Sequence, residues 1–131
     1  MIFYIHDNPI ACQRARKGKY GFYNPQKKQK EEVIAEVFNQ ITKGFCYFDK
    51  VSVKFRFFMK MPKSWSKKKK SEMIGLPHIK KPDLSNLIKF YEDALNKIMW
   101  KDDSNIWEIS SKKIYSLNPH TEIELNHIEI L

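Results

Sequence analysis

The sequence predicts a single α+β domain over residues 1–131, with helices packed against a mixed or antiparallel sheet. Residues 51–60 predict a half-buried strand, because apolar and polar side chains alternate along them. Residues 84–98 predict an amphipathic helix, because apolar side chains recur there at helical spacing. Two further strands, predicted at residues 106–117 and 121–130, are adjacent along the chain and favour that kind of sheet.

The N-terminal third is predicted from local signals. Residues 2–5 predict a short strand, and the segment from Asn8 to Asn24 is predicted to be a loop. Asn24-Pro25 predicts the start of a helix, with Asn as N-cap and Pro at the first helical position, and Gly44 predicts its end.

Composition limits the function classes. The chain has 24 Lys+Arg against 15 Asp+Glu, a formal net charge of +9, so its surface attracts polyanions. An aromatic content of 14% excludes a disordered polybasic tail. No apolar run has the length of a membrane span and the N-terminus does not resemble a signal peptide, so a cytoplasmic protein without membrane contact is expected. The two cysteines have no metal-ligand spacing, and two are too few for a disulfide scaffold.

Three carboxylates stand out against this basic background. Asp83 lies at the start of the second predicted helix, and Asp102-Asp103 follow its end. Carboxylates next to phosphates are repelled unless a cation lies between them, so the pattern predicts a Mg²⁺ site for phosphodiester chemistry. Helical spacing places Ser85, Asn86 and Lys89 on one polar stripe opposite the core face of the helix.

Each of these residues also has an ordinary structural interpretation. Asp83 is a typical helix N-cap, Lys89 can pair with Asp93 four residues on, and Asp102-Asp103 can form a turn. Taken singly, these interpretations are the commoner ones. The combined spacing is what favours a functional site.

That spacing forms a family pattern. The stretch His78-x-x-Lys81-Pro82-Asp83-Leu84-x-Asn86-Leu87-x-Lys89, followed by Asp93-Ala94-Leu95 and by Trp100-x-Asp102-Asp103-x-x-Ile106, resembles the RusA family of Holliday junction resolvases. Less specific similarity around residues 9–16 and 61–69 extends the resemblance over most of the chain. The resemblance implies a homodimeric, Mg²⁺-dependent endonuclease, with Mn²⁺ as a possible substitute. Such an enzyme cuts four-way DNA junctions by paired nicks in recombination and repair.

The resemblance also implies individual roles. Asp83 and Asp103 match the metal-binding aspartates, and Asp102 is a neighbouring helper. Lys89 matches the motif lysine, which contacts the scissile phosphate or stabilises charge developing on it. The implied catalytic set is therefore Asp83, Lys89 and Asp103.

Ser85 departs from the family pattern Asp-x-Asp-Asn, because it stands where the second aspartate is expected among the metal ligands. A hydroxyl is a neutral and poor Mg²⁺ ligand. The alternative hypothesis is therefore a junction-binding protein with weakened cleavage. A basic RNA-binding module would explain the charge but not the spacing of Asp83 and Asp103.

The sequence also offers candidate DNA contacts. Arg14 and Arg16 lie in a basic segment beside several aromatic residues, a combination that suits backbone contact and stacking on unpaired bases. Lys67 and Lys68 belong to a lysine run on a short helix predicted at residues 66–74, either as a solvated face or as phosphate contacts. Lys81 and Asn86 are candidates from the motif itself. The four histidines (His6, His78, His120 and His127) have no metal-ligand spacing and are predicted to be surface or loop residues.

Overall fold

The computed structural model describes residues 1–14, 16–23, 25–41 and 49–127, with the backbone alone at Arg16 and His127. In chain order its elements are β1 (Ile2–His6), β2 (Arg16–Gly18), β3 (Gly21–Tyr23), α1 (Lys27–Phe38), β4 (Val51–Lys60), α2 (Lys67–Met73), α3 (Leu84–Leu95), a 3₁₀ turn (Asp103–Asn105), β5 (Ile106–Ser116) and β6 (His120–His127).

The main sheet has four strands in the order β1-β6-β4-β5. β4 pairs with β5 in parallel, whereas the other two pairs are antiparallel. The parallel pair needs a long crossover, which contains α2 and α3. A mixed sheet with helices packed against it is thus confirmed.

One face of the sheet forms the hydrophobic core. On β4 every second residue is buried, as the alternation predicts. α1 contributes Val33 and Val37, and α3 contributes the apolar face that helical spacing predicts. The buried residues of α3 are Leu87, Phe90, Tyr91, Ala94 and Leu95. The polar stripe of α3 is thereby left facing away from the core.

The predicted boundaries need three corrections. The segment predicted as a loop from Asn8 to Asn24 contains a hairpin, in which β2 and β3 pair antiparallel. α1 begins at Lys27 with Gln26 as N-cap and ends at Phe38, which is earlier than the predicted end at Gly44. Asn24 and Gly44 themselves lie outside the described residues. α3 ends at Leu95 rather than 98.

The corrections at the start of α1 and at the end of α3 have local physical reasons. The Gln26 side chain is buried and bonds the backbone of Ala11 and Gln13, so this residue is fixed at the helix start by tertiary contacts. Asn96 adopts a ψ of 132°, which is outside the helical region and ends α3 at Leu95, and Lys97 follows with a φ of 68°. β6 begins at His120, and residues 128–130 of the predicted strand lie outside the described residues.

The predicted short helix at residues 66–74 is α2, with the Ser66 hydroxyl accepting a hydrogen bond from the backbone N–H of Lys69 (3.1 Å). Cys12 is half-buried, and Cys46 lies outside the described residues. Within the described part of the chain, no helix is both long and apolar enough to cross a bilayer.

Candidate active site

Asp83 lies at the N-terminus of α3 with its carboxylate turned away from the helix. Its backbone has the extended conformation of an N-cap, but its side chain accepts no capping hydrogen bond. Instead the Lys81 ammonium lies 3.0 Å from Asp83 Oδ1, and both side chains are exposed. The N-cap interpretation therefore describes the backbone of Asp83 and leaves the carboxylate available.

Lys113 positions the loop that precedes Asp83. Its ammonium donates hydrogen bonds to the carbonyl oxygens of Lys80 (2.5 Å) and Pro82 (2.6 Å). Burial lowers the pKa of Lys113, the Asp83 carboxylate opposes that shift and Lys81 adds to it. The register of β5 places Lys113 beside Phe57, on the core-facing side of the sheet. A lysine at a core-facing strand position was the sequence signal that could have identified it.

His78 lies in the loop before Asp83, which agrees with the prediction, but it is buried there and not at the surface. Its backbone N–H donates to the carbonyl of Lys113 (3.0 Å), and its ring lies 4.8 Å from that of Tyr115. Burial and the neighbouring Lys113 charge lower the pKa of His78, which favours the neutral imidazole. His120 also departs from the prediction, because it lies half-buried on β6 and stacks on Phe58 at 4.1 Å.

The polar stripe of α3 is exposed as predicted. Ser85, Asn86 and Lys89 all face solvent. Among the residues that the structure describes, Lys89 forms no ion pair with Asp93, so the expected i,i+4 pair does not occupy this lysine. The side chains of the stripe are thus available to a ligand.

Asp102 and Asp103 have different surroundings. Asp102 caps the 3₁₀ turn by accepting hydrogen bonds from the Ser104 hydroxyl (2.6 Å) and backbone N–H (3.0 Å), and these bonds lower the pKa of its carboxyl. The turn interpretation therefore describes Asp102. The Asp103 carboxylate accepts a hydrogen bond from Nε1 of the fully buried Trp100 (2.8 Å), which fixes its position at the C-terminal end of α3.

Glu92 is an acidic neighbour that the sequence analysis missed. Burial raises the pKa of Glu92, and the charges of Asp103 and Asp93 raise it further. The negative charge of Asp103 is therefore felt at the last turn of α3. Helical spacing alone could not identify Glu92, because the effect depends on the loop that brings Asp103 back towards the helix.

Asp83 and Asp103 lie at opposite ends of α3 within one protomer. The nine-residue helical rise from Asp83 to Glu92 is about 14 Å, which is too far for both carboxylates to share one cation. Within the described residues, no group of three His, Cys, Asp or Glu side chains could hold a metal ion. One protomer does not by itself bring the predicted metal ligands together.

The segments that carry Arg14 and the two lysines of α2 are attached close to the Asp83 end of α3. Arg14 is exposed just beyond Cys12, whose backbone N–H donates to the carbonyl of Asn86 (2.9 Å). Lys67 and Lys68 are exposed on α2. That helix is attached through Trp65, whose ring packs 5.1 Å from Tyr115. Only the backbone of Arg16 is described.

Comparison with known proteins decides the family. The model of the endodeoxyribonuclease RusA family matches residues 8–126. The chain belongs to the RusA family. A relative named Uncharacterized protein YqaN, from Bacillus subtilis (strain 168), is 32% identical over 96% of this chain and 95% of its own length. The crossover junction endodeoxyribonuclease rusA of Lactococcus phage r1t is 29% identical over 86% of this chain and 82% of its own length. The resemblance drawn from the motif is therefore confirmed, and RusA membership supports an enzyme that hydrolyses DNA.

Proposed function

We propose that this RusA protein is a Mg²⁺-dependent endonuclease that binds and resolves four-way DNA junctions in recombination and repair. The observation that carries the proposal is the exposed stripe of Ser85, Asn86 and Lys89 next to the exposed, uncapped carboxylate of Asp83, within basic surroundings. A phosphate approaching this helix end meets backbone N–H groups as well as lysines. A helix terminus with a purely structural role would need neither an uncapped carboxylate nor a lysine that forms no ion pair with the described residues.

The residues of this end have separable roles in the proposal. Lys89 lies one turn along the stripe from Ser85, where its ammonium stabilises charge developing on the scissile phosphate. Lys81 and Asn86 contact the DNA backbone next to the scissile phosphate. Arg14, Arg16, Lys67 and Lys68 add phosphate contacts on either side. Asp83 and Asp103 would hold a Mg²⁺ or Mn²⁺ ion, which would supply Lewis acidity and activate water for attack on the phosphate.

The separation of Asp83 and Asp103 supports a metal site shared by two protomers of a homodimer. A cation that uses both carboxylates needs the Asp83 end of one protomer beside the Asp103 end of its partner. The two ends are also electrostatically complementary. Lys81 and Lys113 lie close to Asp83, whereas Glu92, Asp93, Asp102 and Asp103 outnumber Lys97 and Lys101 at the other end.

The outer edge of β5 supports this dimer. The loop at residues 75–78 is hydrogen-bonded only to the C-terminal part of β5, at Lys113 and Tyr115. From 106 to 112, no strand of the described chain pairs with that edge. Trp107 and Ile109 are exposed along this free part. A long free edge with exposed apolar side chains is a template for pairing with another chain.

Antiparallel pairing of this edge with its own copy would be centred on Ser110. Glu108 would then lie opposite the partner's Lys112, and both are exposed. Opposite charges facing each other stabilise such a pair of strands.

The same pairing accounts for the shared site. β5 rises about 23 Å between Ile106, next to Asp103, and Lys113, next to Asp83. Reversing one copy therefore brings the Asp103 end of one protomer to the Asp83 end of its partner. A two-fold dimer of this kind carries two equal sites, which matches the two-fold symmetry of a four-way junction.

A second candidate function rests on Ser85. Its exposed hydroxyl contributes neither charge nor a strong ligand where the family pattern has a carboxylate. This chain would then bind junctions and cut them weakly.

A nicking assay tests the proposed function. We expect a synthetic four-way junction to be cut in Mg²⁺ and a linear duplex of the same sequence to be left intact. With a net charge of +9, affinity for both DNAs should fall by orders of magnitude between about 50 and 200 mM salt. The preference for the junction should survive, since it depends on shape. Junction binding without nicking at any Mg²⁺ or Mn²⁺ concentration would favour the second candidate, and stronger competition by RNA would contradict both.

A further inference from the structure

The hairpin formed by β2 and β3 exposes three aromatic side chains. Tyr20 is 95% exposed, Phe22 77% and Tyr23 50%. The hairpin is a separate two-stranded sheet, so these rings belong to no part of the main core. Two strands of three residues cannot bury such rings between themselves. Their apolar surface is therefore available to a ligand.

The rings cover both faces and the tip of the hairpin. Phe22 and Tyr23 are successive strand residues and point to opposite faces. The Tyr23 ring lies across Gly18, where an added Cβ would stand only 3.2 Å from Tyr23 Cδ1. Tyr20 forms the tip, with Lys19 Nζ 5.7 Å from the centre of its ring. A flat ligand can thus meet an aromatic surface from more than one side.

The sequence segment that carries these rings has charge of one sign. No Asp or Glu occurs between Asn8 and Lys30, and the basic residues of that segment are Arg14, Arg16, Lys17, Lys19, Lys27, Lys28 and Lys30. Aromatic surfaces in a purely basic segment suit a polyanion that also offers flat π faces. Single-stranded or unstacked nucleic acid has both properties.

The base of the hairpin is fixed beside the candidate active site. The Cys12 backbone N–H donates to the carbonyl of Asn86 in the first turn of α3 (2.9 Å). The buried Gln26 side-chain amide bonds the backbone of the segment before β2. It accepts from the Gln13 N–H (2.8 Å) and donates to the Ala11 carbonyl (2.8 Å). The hairpin therefore starts from the same turn that carries the polar stripe.

We infer that the Tyr20, Phe22 and Tyr23 rings stack on unpaired or unstacked bases at the branch point of the DNA. This inference rests on the proposed function and gives the hairpin the task of distinguishing a junction from a duplex. In a linear duplex every internal base is stacked on both sides, so the rings find no free face. At a branch point the bases lose a stacked neighbour, and an aromatic side chain can replace it.

The test compares junction and duplex affinities by fluorescence anisotropy in EDTA, where no DNA is cut. The variant Tyr20→Ser/Phe22→Ser/Tyr23→Ser should bind the junction about 10- to 100-fold more weakly, since stacking contributes about 1–3 kcal/mol per base. Its duplex affinity should change less than about twofold. Phe38→Ser is the matched control, because it removes another exposed ring (57%) from α1. Lys17→Gln/Lys19→Gln should weaken binding to both DNAs alike.

Two further variants distinguish loss of the rings from misfolding of the hairpin. Tyr20→Ser removes a ring that is almost fully exposed and should lower junction affinity alone, whereas Tyr20→Phe/Tyr23→Phe should keep the natural affinity because the rings remain. A junction preference that survives in the triple variant, or an equal loss on both DNAs, overturns the inference. A change in oligomeric state in place of junction affinity also overturns it, in favour of a protein partner. Equal affinity of the natural protein for both DNAs would instead overturn the proposed function.

Discussion

Asp103→Asn should reduce junction cleavage about 1000-fold while junction affinity stays unchanged. The factor follows because a bound cation contributes several kcal/mol of charge stabilisation, and each ~1.4 kcal/mol is tenfold in rate. The fold should survive, because the asparagine carbonyl can still accept the hydrogen bond from Trp100 Nε1. Single-turnover cleavage in Mg²⁺, paired with gel-shift titration in EDTA, measures both quantities.

Asp93→Asn is the matched control for this variant. Asp93 is an exposed carboxylate at the same end of α3, so its loss should leave most cleavage intact. Full cleavage by Asp103→Asn would remove Asp103 from the metal site. Loss of folding together with binding would return Asp103 to a structural role at the turn.

Ser85→Asp should increase cleavage at low Mg²⁺ with little change in junction affinity. The new carboxylate would add a charged oxygen ligand on the same helix end as Asp83. The substitution should also stabilise the fold slightly, because an acidic residue in the first turn of a helix is favoured by the dipole. The natural protein should in turn need high Mg²⁺ or Mn²⁺. A Mg²⁺ titration of the cleavage rate compares the two proteins.

Ser85→Asn separates charge from shape in that experiment. It has nearly the size of aspartate but no charge, so it should stay close to the natural protein. If the natural protein is fully active at low Mg²⁺ and Ser85→Asp adds nothing, another group supplies the ligand, with Asp102 the first candidate. An inert Ser85→Asp that binds junctions normally would make this chain a junction-binding protein.

Hydrophobic periodicity predicted the helices and strands that bury one face in the core. β4 and the buried face of α3 were predicted correctly, because their apolar spacing is the direct cause of their burial. The β2–β3 hairpin was missed because its strands have three residues each, too few for a period to appear. The start of α1 was misplaced because a tertiary role of Gln26, invisible in sequence, outweighs the Asn-Pro signal.

The candidate site was predicted in its residues but not in its arrangement. Local spacing identified the stripe on α3, since helix geometry fixes which side chains share a face. It could not place Asp103, because the loop after α3 returns to the C-terminal end of that helix and leaves Asp83 at the other. His78 and Lys113 were likewise invisible, since each is defined by a contact between the loop before Asp83 and β5.

The central claim is that two protomers together form each metal site. It is tested by mixing Asp83→Asn and Asp103→Asn proteins, each inactive alone, and measuring junction nicking after subunit exchange. Heterodimers would then contain one site with both substitutions and one with neither. We predict that nicking returns to about a quarter of the natural level, since half of randomly assorted two-fold dimers carry one intact site of two. The products should be single nicks. A mixture no more active than either parent, with heterodimers shown to be present, would contradict the account, because both carboxylates would then act within one protomer.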